Sequence, residues 1–157
     1  MTSEWTLHVR RAAVADADVI ARLISQLGYP VSAGDVPARL DRIAGGDRAV
    51  VLLAERGGAV VGVATAHILT VLNRARDVAW LTALVVDESA RGQGVGRALV
   101  EAVELFARQA GCERLSVTTH EHMTGAQAFY LRLGLEKTGR RFGRMLTPLE
   151  CSDGQPD

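Results

Sequence analysis

The sequence predicts one mixed α/β domain built on a single mixed sheet, with elements in the order β-α-α-β-β-β-α-β-α-β-β. Three observations carry this. Strand-like alternation and helix-like spacing of apolar residues exchange places along nearly all of the 157 residues. Glycine-bearing turns punctuate the exchanges. No repeat, low-complexity tract or interdomain linker interrupts the series, so residues 1–147 read as one domain and 148–157 as a polar, mobile tail.

The first element is a strand over residues 5–10, with Trp5, Leu7 and Val9 on one side and Thr6, His8 and Arg10 on the other. Asp16 or Asp18 then caps a helix through about Leu27, whose stripe is Ile20, Leu23, Ile24 and Leu27. Gly28-Tyr29-Pro30 stops it. A shorter helix follows from Asp35 to Ala44, closed by Gly45-Gly46. Ala49–Glu55 and Ala59–Val71 read as a hairpin about the Gly57-Gly58 turn. Asn73–Asp77 is a polar link to a strand over Val78–Val86. From Gly94 the period turns helical, with Leu99, Ala102, Val103, Phe106 and Ala110 on one face and Gly111 as the stop. A strand, Arg114–Thr119, precedes a helix near Thr124–Leu133 that Gly134 ends. Leu135–Thr138 and Arg141–Leu146 are short and strand-like.

Composition excludes several classes of function. Eighteen Lys and Arg balance eighteen Asp and Glu, so the chain lacks the basic excess of a nucleic-acid or anionic-membrane binder. Aromatic content of 4% is too sparse for a base-stacking surface, although Arg140, Arg141 and Arg144 form a local basic patch. No apolar run reaches the roughly 20 residues of a spanning helix. The N-terminal residues lack the cationic start and apolar stretch of a signal peptide. Cys112 and Cys151 stand far apart and read as inert thiols in a cytoplasmic protein.

Chemistry concentrates at Gly92, Gly94 and Gly96, between a strand and a helix. A dinucleotide fingerprint fails, because its third glycine falls on Arg97 and because this strand is the fourth in the chain, separated by the polar link Asp87–Arg91. A Walker loop fails as well: Gly96 is followed by Arg97 and Ala98. What remains is a general anion cradle. A helix N-terminus presents unpaired N–H groups and partial positive charge, and glycines admit a phosphate to them without Cβ interference. Arg91 and Arg97 add a guanidinium at either end. A tight connection with no ligand is the plain alternative.

Two blocks turn that choice. Arg91-Gly92-Gln93-Gly94-Val95-Gly96 resembles the Arg/Gln-x-x-Gly-x-Gly/Ala signature of the GNAT acetyltransferase superfamily, and Phe129-Tyr130-Leu131-Arg132-Leu133-Gly134-Leu135 resembles its Phe-Tyr-x-x-Leu-Gly-Phe block. Their order and spacing extend the resemblance over about residues 5–147. The stretch from Trp80 onward is most similar to members acting on small amines, the aminoalkylphosphonate acetyltransferases among them.

The resemblance implies acetyl-coenzyme A as acetyl donor and direct attack by a primary amine, with no covalent enzyme intermediate. It assigns the pyrophosphate to Arg91, Gly92, Gln93, Gly94, Val95, Gly96 and Arg97, chiefly through main-chain N–H groups. It assigns the pantetheine arm to the backbone of Leu84, Val85 and Val86, in a strand that bulges and splays from its neighbour. Their side chains serve equally as core. Tyr130 corresponds to a tyrosine that protonates the departing thiolate, against the plain alternative of a core tyrosine on the face of Met123, Ala126 and Leu133. A phenol of pKa about 10 facing a thiolate of about 8.5 is uphill by roughly 2 kcal/mol, so Tyr130 has either a lowered pKa or mainly a hydrogen-bonding role.

The proton acceptor is open. Many relatives place Glu or Asp where this chain has Leu81, Thr82 and Ala83, which leaves His67, His120, Glu121 and His122 as candidates. Two histidines in His120-x-His122 fall short of a metal site, and no metal is expected. The expected partner is a small-molecule amine, bound largely by about residues 27–40 and the strand-to-strand connections, with no nucleic acid or membrane partner and a homodimer left open. A peptide or protein acetyltransferase and a non-catalytic acyl-coenzyme A-binding regulatory domain are the rival readings. Close relatives often carry Arg and His where this chain has Met123 and Gln127, so contacts made by those residues do not carry over.

Overall fold

A computed structural model describes residues 6–149. Trp5, Cys151 and tail residues 150–157 lie outside the described residues. By backbone contact the chain forms two compact units, residues 1–120 and 121–157.

The first unit holds one five-stranded sheet in the spatial order β1-β2-β3-β4-β5. The strands are β1 (Leu7–Arg11), β2 (Ala49–Arg56), β3 (Ala59–Leu69), β4 (Val78–Val86) and β5 (Arg114–Val117). The first four pair antiparallel in sequence order, and β5 joins β4 in parallel. Short polar or glycine turns suffice for antiparallel neighbours, whereas the parallel step uses a helical crossover, α3 (Val95–Gln109). Helices α1 (Ala17–Ser25) and α2 (Val36–Ala44) fill the connection from β1 to β2.

The helices settle on opposite faces because the strands are apolar on both. Ile20 and Leu23 of α1 and Val36 and Leu40 of α2 pack with Val51, Leu53, Val63 and Val85 in one buried cluster. On the other face α3 buries Val95, Leu99, Val100 and Val103. Each such side chain contributes about 1.5–3 kcal/mol by leaving water.

Gly62 of β3 is where α3 comes closest. A Cβ built there would stand 2.9 Å from Val95 Cγ1, 3.0 Å from Leu99 Cδ1 and 3.2 Å from the Val85 carbonyl oxygen. Nothing in the sequence distinguishes this glycine from a weak point in a strand. Its role is contact.

The helix starts differ from expectation. The Asp16 carboxylate does not cap α1; it accepts the Arg10 guanidinium at 2.8 Å and the Ala13 N–H at 2.7 Å. A single 3-10 turn, Val14–Asp16, comes before the α-helix and brings Asp16 back over β1. A similar turn, Ala33–Asp35, leads α2, whose second residue is Pro37, where a missing N–H does no harm.

The second unit holds α4 (Thr124–Arg132), closed by Gly134 at φ +88° with the Leu135 N–H on the Tyr130 carbonyl. The two final strands expected over Leu135–Thr138 and Arg141–Leu146 do not form: residues 135–149 carry no strand or helix. Gly139 directly follows the first run and Gly143 interrupts the second, and the cations Arg140, Arg141 and Arg144 leave too few apolar positions to define a buried face. Phe142 and Met145 stand over 90% exposed (92% and 95%).

Gly62→Val puts three extra carbons against Val95 and Leu99. Urea unfolding should show a loss of about 1–3 kcal/mol. A variant as stable as wild type would contradict the close approach of α3 to β3.

Candidate functional site at the end of β4

Strand β4 has different neighbours along its two edges. Toward β3 it is paired from Val78 to Val86. Toward β5 the ladder runs only from Val78↔Arg114 to Leu81↔Val117. Among the described residues, the five residues Thr82–Val86 therefore have no strand on that side, a free edge of about 16 Å. The change coincides with a bulge. Thr65 opposes Ala83 and Ala66 opposes Leu81, leaving Thr82 as the extra residue, its hydroxyl donating to the Thr65 carbonyl at 3.0 Å. A bulge adds twist and re-aims the strand that follows it.

Leu84, Val85 and Val86 lie in this freed segment. Val85 belongs to the α1/α2 core, so its side chain is structural. Pairing with Ala64 and Gly62 puts Leu84 and Val86 on the α3 face, because strand side chains alternate.

The chain then turns through Asp87, a 3-10 turn at Glu88–Ala90, and the glycine run. Gly92 and Gly94 sit at φ +72° and +83°, where a side chain strains the backbone. A Cβ at either would meet no protein atom within 4 Å, so both glycines border open space. Gly94 is the residue before α3 and offers no capping side chain; the first helical bond runs from the Ala98 N–H to its carbonyl. The N–H groups of Val95, Gly96 and Arg97 precede that bond and point out of the helix start. Val95 itself is buried, Arg91 and Arg97 are exposed, and the helix has no acidic residue in its first turn. Uncapped helix-start amides beside glycines that border open space form an arrangement that can accept an anion such as a diphosphate.

Two side chains brace the loop. Arg91 Nε donates to the Val86 carbonyl at 3.3 Å, and Gln93 Nε2 to that of Ser89 at 3.1 Å. Arg91 and Gln93 thus shape the cradle as well as bordering it.

The residue that sequence reasoning passed over is Asp87. One of its oxygens accepts the Ser89 hydroxyl at 2.6 Å and the Ser89 N–H at 3.0 Å. The other accepts Arg22 Nη1 at 2.6 Å and Gln26 Nε2 at 3.3 Å, both from the end of α1. Asp87 therefore ties the start of the glycine loop to α1. The Ser89 hydroxyl, then Arg22, then the Ser89 N–H hold its carboxyl well below the usual carboxylate range. Asp87-x-Ser89 is a recognisable side-chain turn, and that signal was available. The Arg22 partnership, 65 residues away, was not.

Past α1 the surface opens into a cavity of about 610 Å³ lined by Ser25, Gly28, Pro30, Val31, Ser32 and Asp35, within the segment expected to receive the acceptor. Tyr29 on this connection brings its hydroxyl to 3.4 Å from His120 Nε2. His67 is half-buried on β3, while Glu121 and His122 belong to the second unit and are exposed. The described residues contain no group of three His, Cys, Asp or Glu side chains suited to a metal.

In the second unit, Tyr130 lies in α4 with its ring edge-on to Phe129 at 5.2 Å between centroids. Burial pushes its phenol up to about 12.

Because the folded-state pKa of Asp87 is depressed, its contribution to stability is complete above the unfolded value of about 3.9 and is lost as pH falls below it. Asp87→Asn should be less stable than wild type at pH 7 in urea unfolding, with the gap narrowing by pH 3. An equal gap at both pH values would show that the charge is not what holds Asp87.

Known proteins resemble this chain in sequence and in fold. The profile of the acetyltransferase (GNAT) family matches residues 18–135. N-acetyltransferase 8F1 of Rattus norvegicus is 38% identical over 90 residues, 57% of this chain and 41% of that protein. Aminoalkylphosphonate N-acetyltransferase of Salmonella typhimurium is 37% identical over 94 residues, 60% of this chain and 61% of that protein. The matched parts are thus less than two thirds of either relative. Among solved structures, the aminoglycoside N-acetyltransferase AAC(6')-Iy in complex with CoA shares the fold at a TM-score of 0.83, covering 93% of this chain and 98% of that one at 23% identity. A family profile spanning both the glycine loop and the Phe129-Tyr130 block places the chain: it belongs to the acetyltransferase (GNAT) family.

Proposed function

We propose that the protein is an N-acetyltransferase that moves an acetyl group from acetyl-coenzyme A to a primary amine on a small molecule, in the cytoplasm. The observation that carries this reading is the free edge Thr82–Val86 running into an uncapped, glycine-lined start of α3. An extended polar arm can add to that edge as a strand would, and a diphosphate can sit on the amides of Gly92 to Arg97. Acetyl-coenzyme A has both parts and supplies an activated acyl thioester.

The chain's own residues have distinct tasks. The backbone of Leu84, Val85 and Val86 orients the arm, and an N–H of the bulged strand polarises the carbonyl to be attacked. Arg91 and Arg97 add charge beside the diphosphate. Tyr130 keeps its proton throughout neutral pH, since its pKa stands near 12. Complete transfer to a thiolate of about 8.5 would then be uphill by roughly 5 kcal/mol, so Tyr130 serves as a hydrogen-bond donor to the leaving sulfur.

A small acceptor is favoured by the zero net charge and by similarity to the aminoalkylphosphonate enzyme, which matches over more of its own length than the rat protein does. The cavity of about 610 Å³ after α1 is of a size for such a ligand.

The test is a screen of small amines and peptides for thiol release from acetyl-coenzyme A. Small amines should be acetylated; efficient turnover of peptides alone would overturn the choice of acceptor. With the best amine and saturating acetyl donor, Tyr130→Phe should lower turnover by about 10²-fold, as expected for one lost donor at a developing charge. Melting temperature should move little. The shape of the rate profile from about pH 7 to 10 should not change, because a phenol of pKa about 12 stays protonated across it. Normal turnover in the Phe variant would remove Tyr130 from the chemistry.

A further inference from the structure

His67 is the candidate proton acceptor whose surroundings are best defined. It lies on β3 opposite Ala49 of β2 and Trp80 of β4. Alternation along β3 sends Gly62, Ala64 and Ala66 toward α3, as the approach of Val95 and Leu99 to Gly62 requires. Val63, Thr65 and His67 therefore face the other way, and Val63 packs with Ile20, Leu23, Val36 and Leu40 of α1 and α2. That is the sheet face on which the helices bordering the Ser25–Asp35 cavity sit. Helical cover is complete over Val63 and Val85, but His67 and Trp80 are only half-buried. Among the described residues the His67 ring has no hydrogen bond or ion pair.

The β4 bulge is close to His67 along the same ladder. Thr82 is the extra residue beyond the Leu81↔Ala66 pair, and Trp80, the cross-strand partner of His67, is two residues before it. The Cα atoms of such diagonal neighbours lie roughly 7–8 Å apart, within reach of a long side chain, and a water hydrogen-bonded to the ring extends that reach. Leu81, Thr82 and Ala83 contain no group that can accept a proton at neutral pH. His120 is engaged with Tyr29.

We propose that His67 accepts, through a water, the proton that the acceptor ammonium must lose before it becomes a nucleophile. This rests on the acetyltransferase reading above. The N–H bond of the ammonium breaks, its electron pair stays on nitrogen as the nucleophilic lone pair, and the proton passes to an imidazole nitrogen and then to solvent. The need is quantitative, since an alkylamine of pKa about 10.4 is neutral in only about one molecule in 2,500 at pH 7. Histidine is the side-chain type suited to that pH. The cross-strand neighbours Ala49 and Trp80 carry no charge. Nearby on the sheet, Arg48 and Asp77 neutralise each other at 3.0 Å. The covering helices carry Asp18, Arg22, Arg39, Asp41 and Arg42, of which Arg22 is held by Asp87 and Arg39 pairs with Asp35 at 3.9 Å.

The test combines His67→Gln kinetics with a measurement on the unmutated protein. With the best small amine, His67→Gln should lower kcat/KM about 10²-fold at pH 7, with the deficit shrinking to a few-fold by about pH 9.5, where solvent supplies neutral amine. A loss of the same size at both pH values marks a structural role and overturns the proposal, as does no loss at all. In the unmutated protein, the His67 imidazole carbon resonance should move when amine is added to the complex with coenzyme A, in which no turnover occurs. An unmoved resonance overturns the proposal even if the Gln variant fails to fold. Unmutated protein that releases no thiol with any amine or peptide overturns the acetyltransferase reading itself, and the proposal falls with it; an active protein with a pH-independent Gln deficit overturns His67 alone.

Discussion

Strand β4 belongs to two partners for only half of its length, and the rest of the site follows from that. Up to Leu81 it is an interior strand paired on both edges; from Thr82 onward no strand among the described residues pairs with one of them. Backbone polar groups left without partners cost free energy when water is excluded, so such an edge persists only near solvent or beneath a ligand that replaces the missing strand. The bulge at Thr82 sets the change, and the Thr82 hydroxyl on the Thr65 carbonyl holds it. Directly beyond, the chain leaves the sheet at Asp87 and returns as α3, whose first amides have no cap. An open strand edge and an open helix start, separated by eight residues (87–94), favour a ligand that is extended at one end and anionic at the other.

Rigidity around that opening is supplied from a distance. Asp87 joins the loop to α1, while Gly62 allows α3 to settle against β3 and β4. The same tie links the glycine loop to the open cavity, because Gln26, which also reaches Asp87, directly precedes residues that border that cavity.

Much of this was legible in the sequence, for reasons that can be named. Strands β2 to β4 and helix α3 announce themselves because their apolar periods are long and their turns contain glycine. The run from Arg91 to Arg97 is legible because glycines at alternating positions have few uses before a helix. Less was legible where a role depends on a distant partner. Asp16 looks like a helix cap, but the Arg10 guanidinium claims it instead. Asp87 looks like part of a polar link until Arg22 and Gln26 come to it. Gly62 looks like a defect in a strand until α3 lies on it. The short segments after Leu135 show the opposite failure: local alternation suggested strands, but glycines and cations leave no face to bury. Tyr130 was legible as a motif residue, whereas the upward shift of its phenol reflects burial, which no spacing reveals.

The central claim is that the cofactor's diphosphate is held by backbone amides at the start of α3. Calorimetric titration of Gly94→Val with acetyl-coenzyme A tests it most directly. Gly94 sits at φ +83° with nothing within 4 Å of a Cβ, so the substitution should strain the loop while the fold survives. The account predicts affinity weakened about tenfold or more, equivalent to about 1.4 kcal/mol, with an unchanged circular dichroism spectrum. A folded Gly94→Val protein that binds acetyl-coenzyme A as tightly as wild type would contradict it.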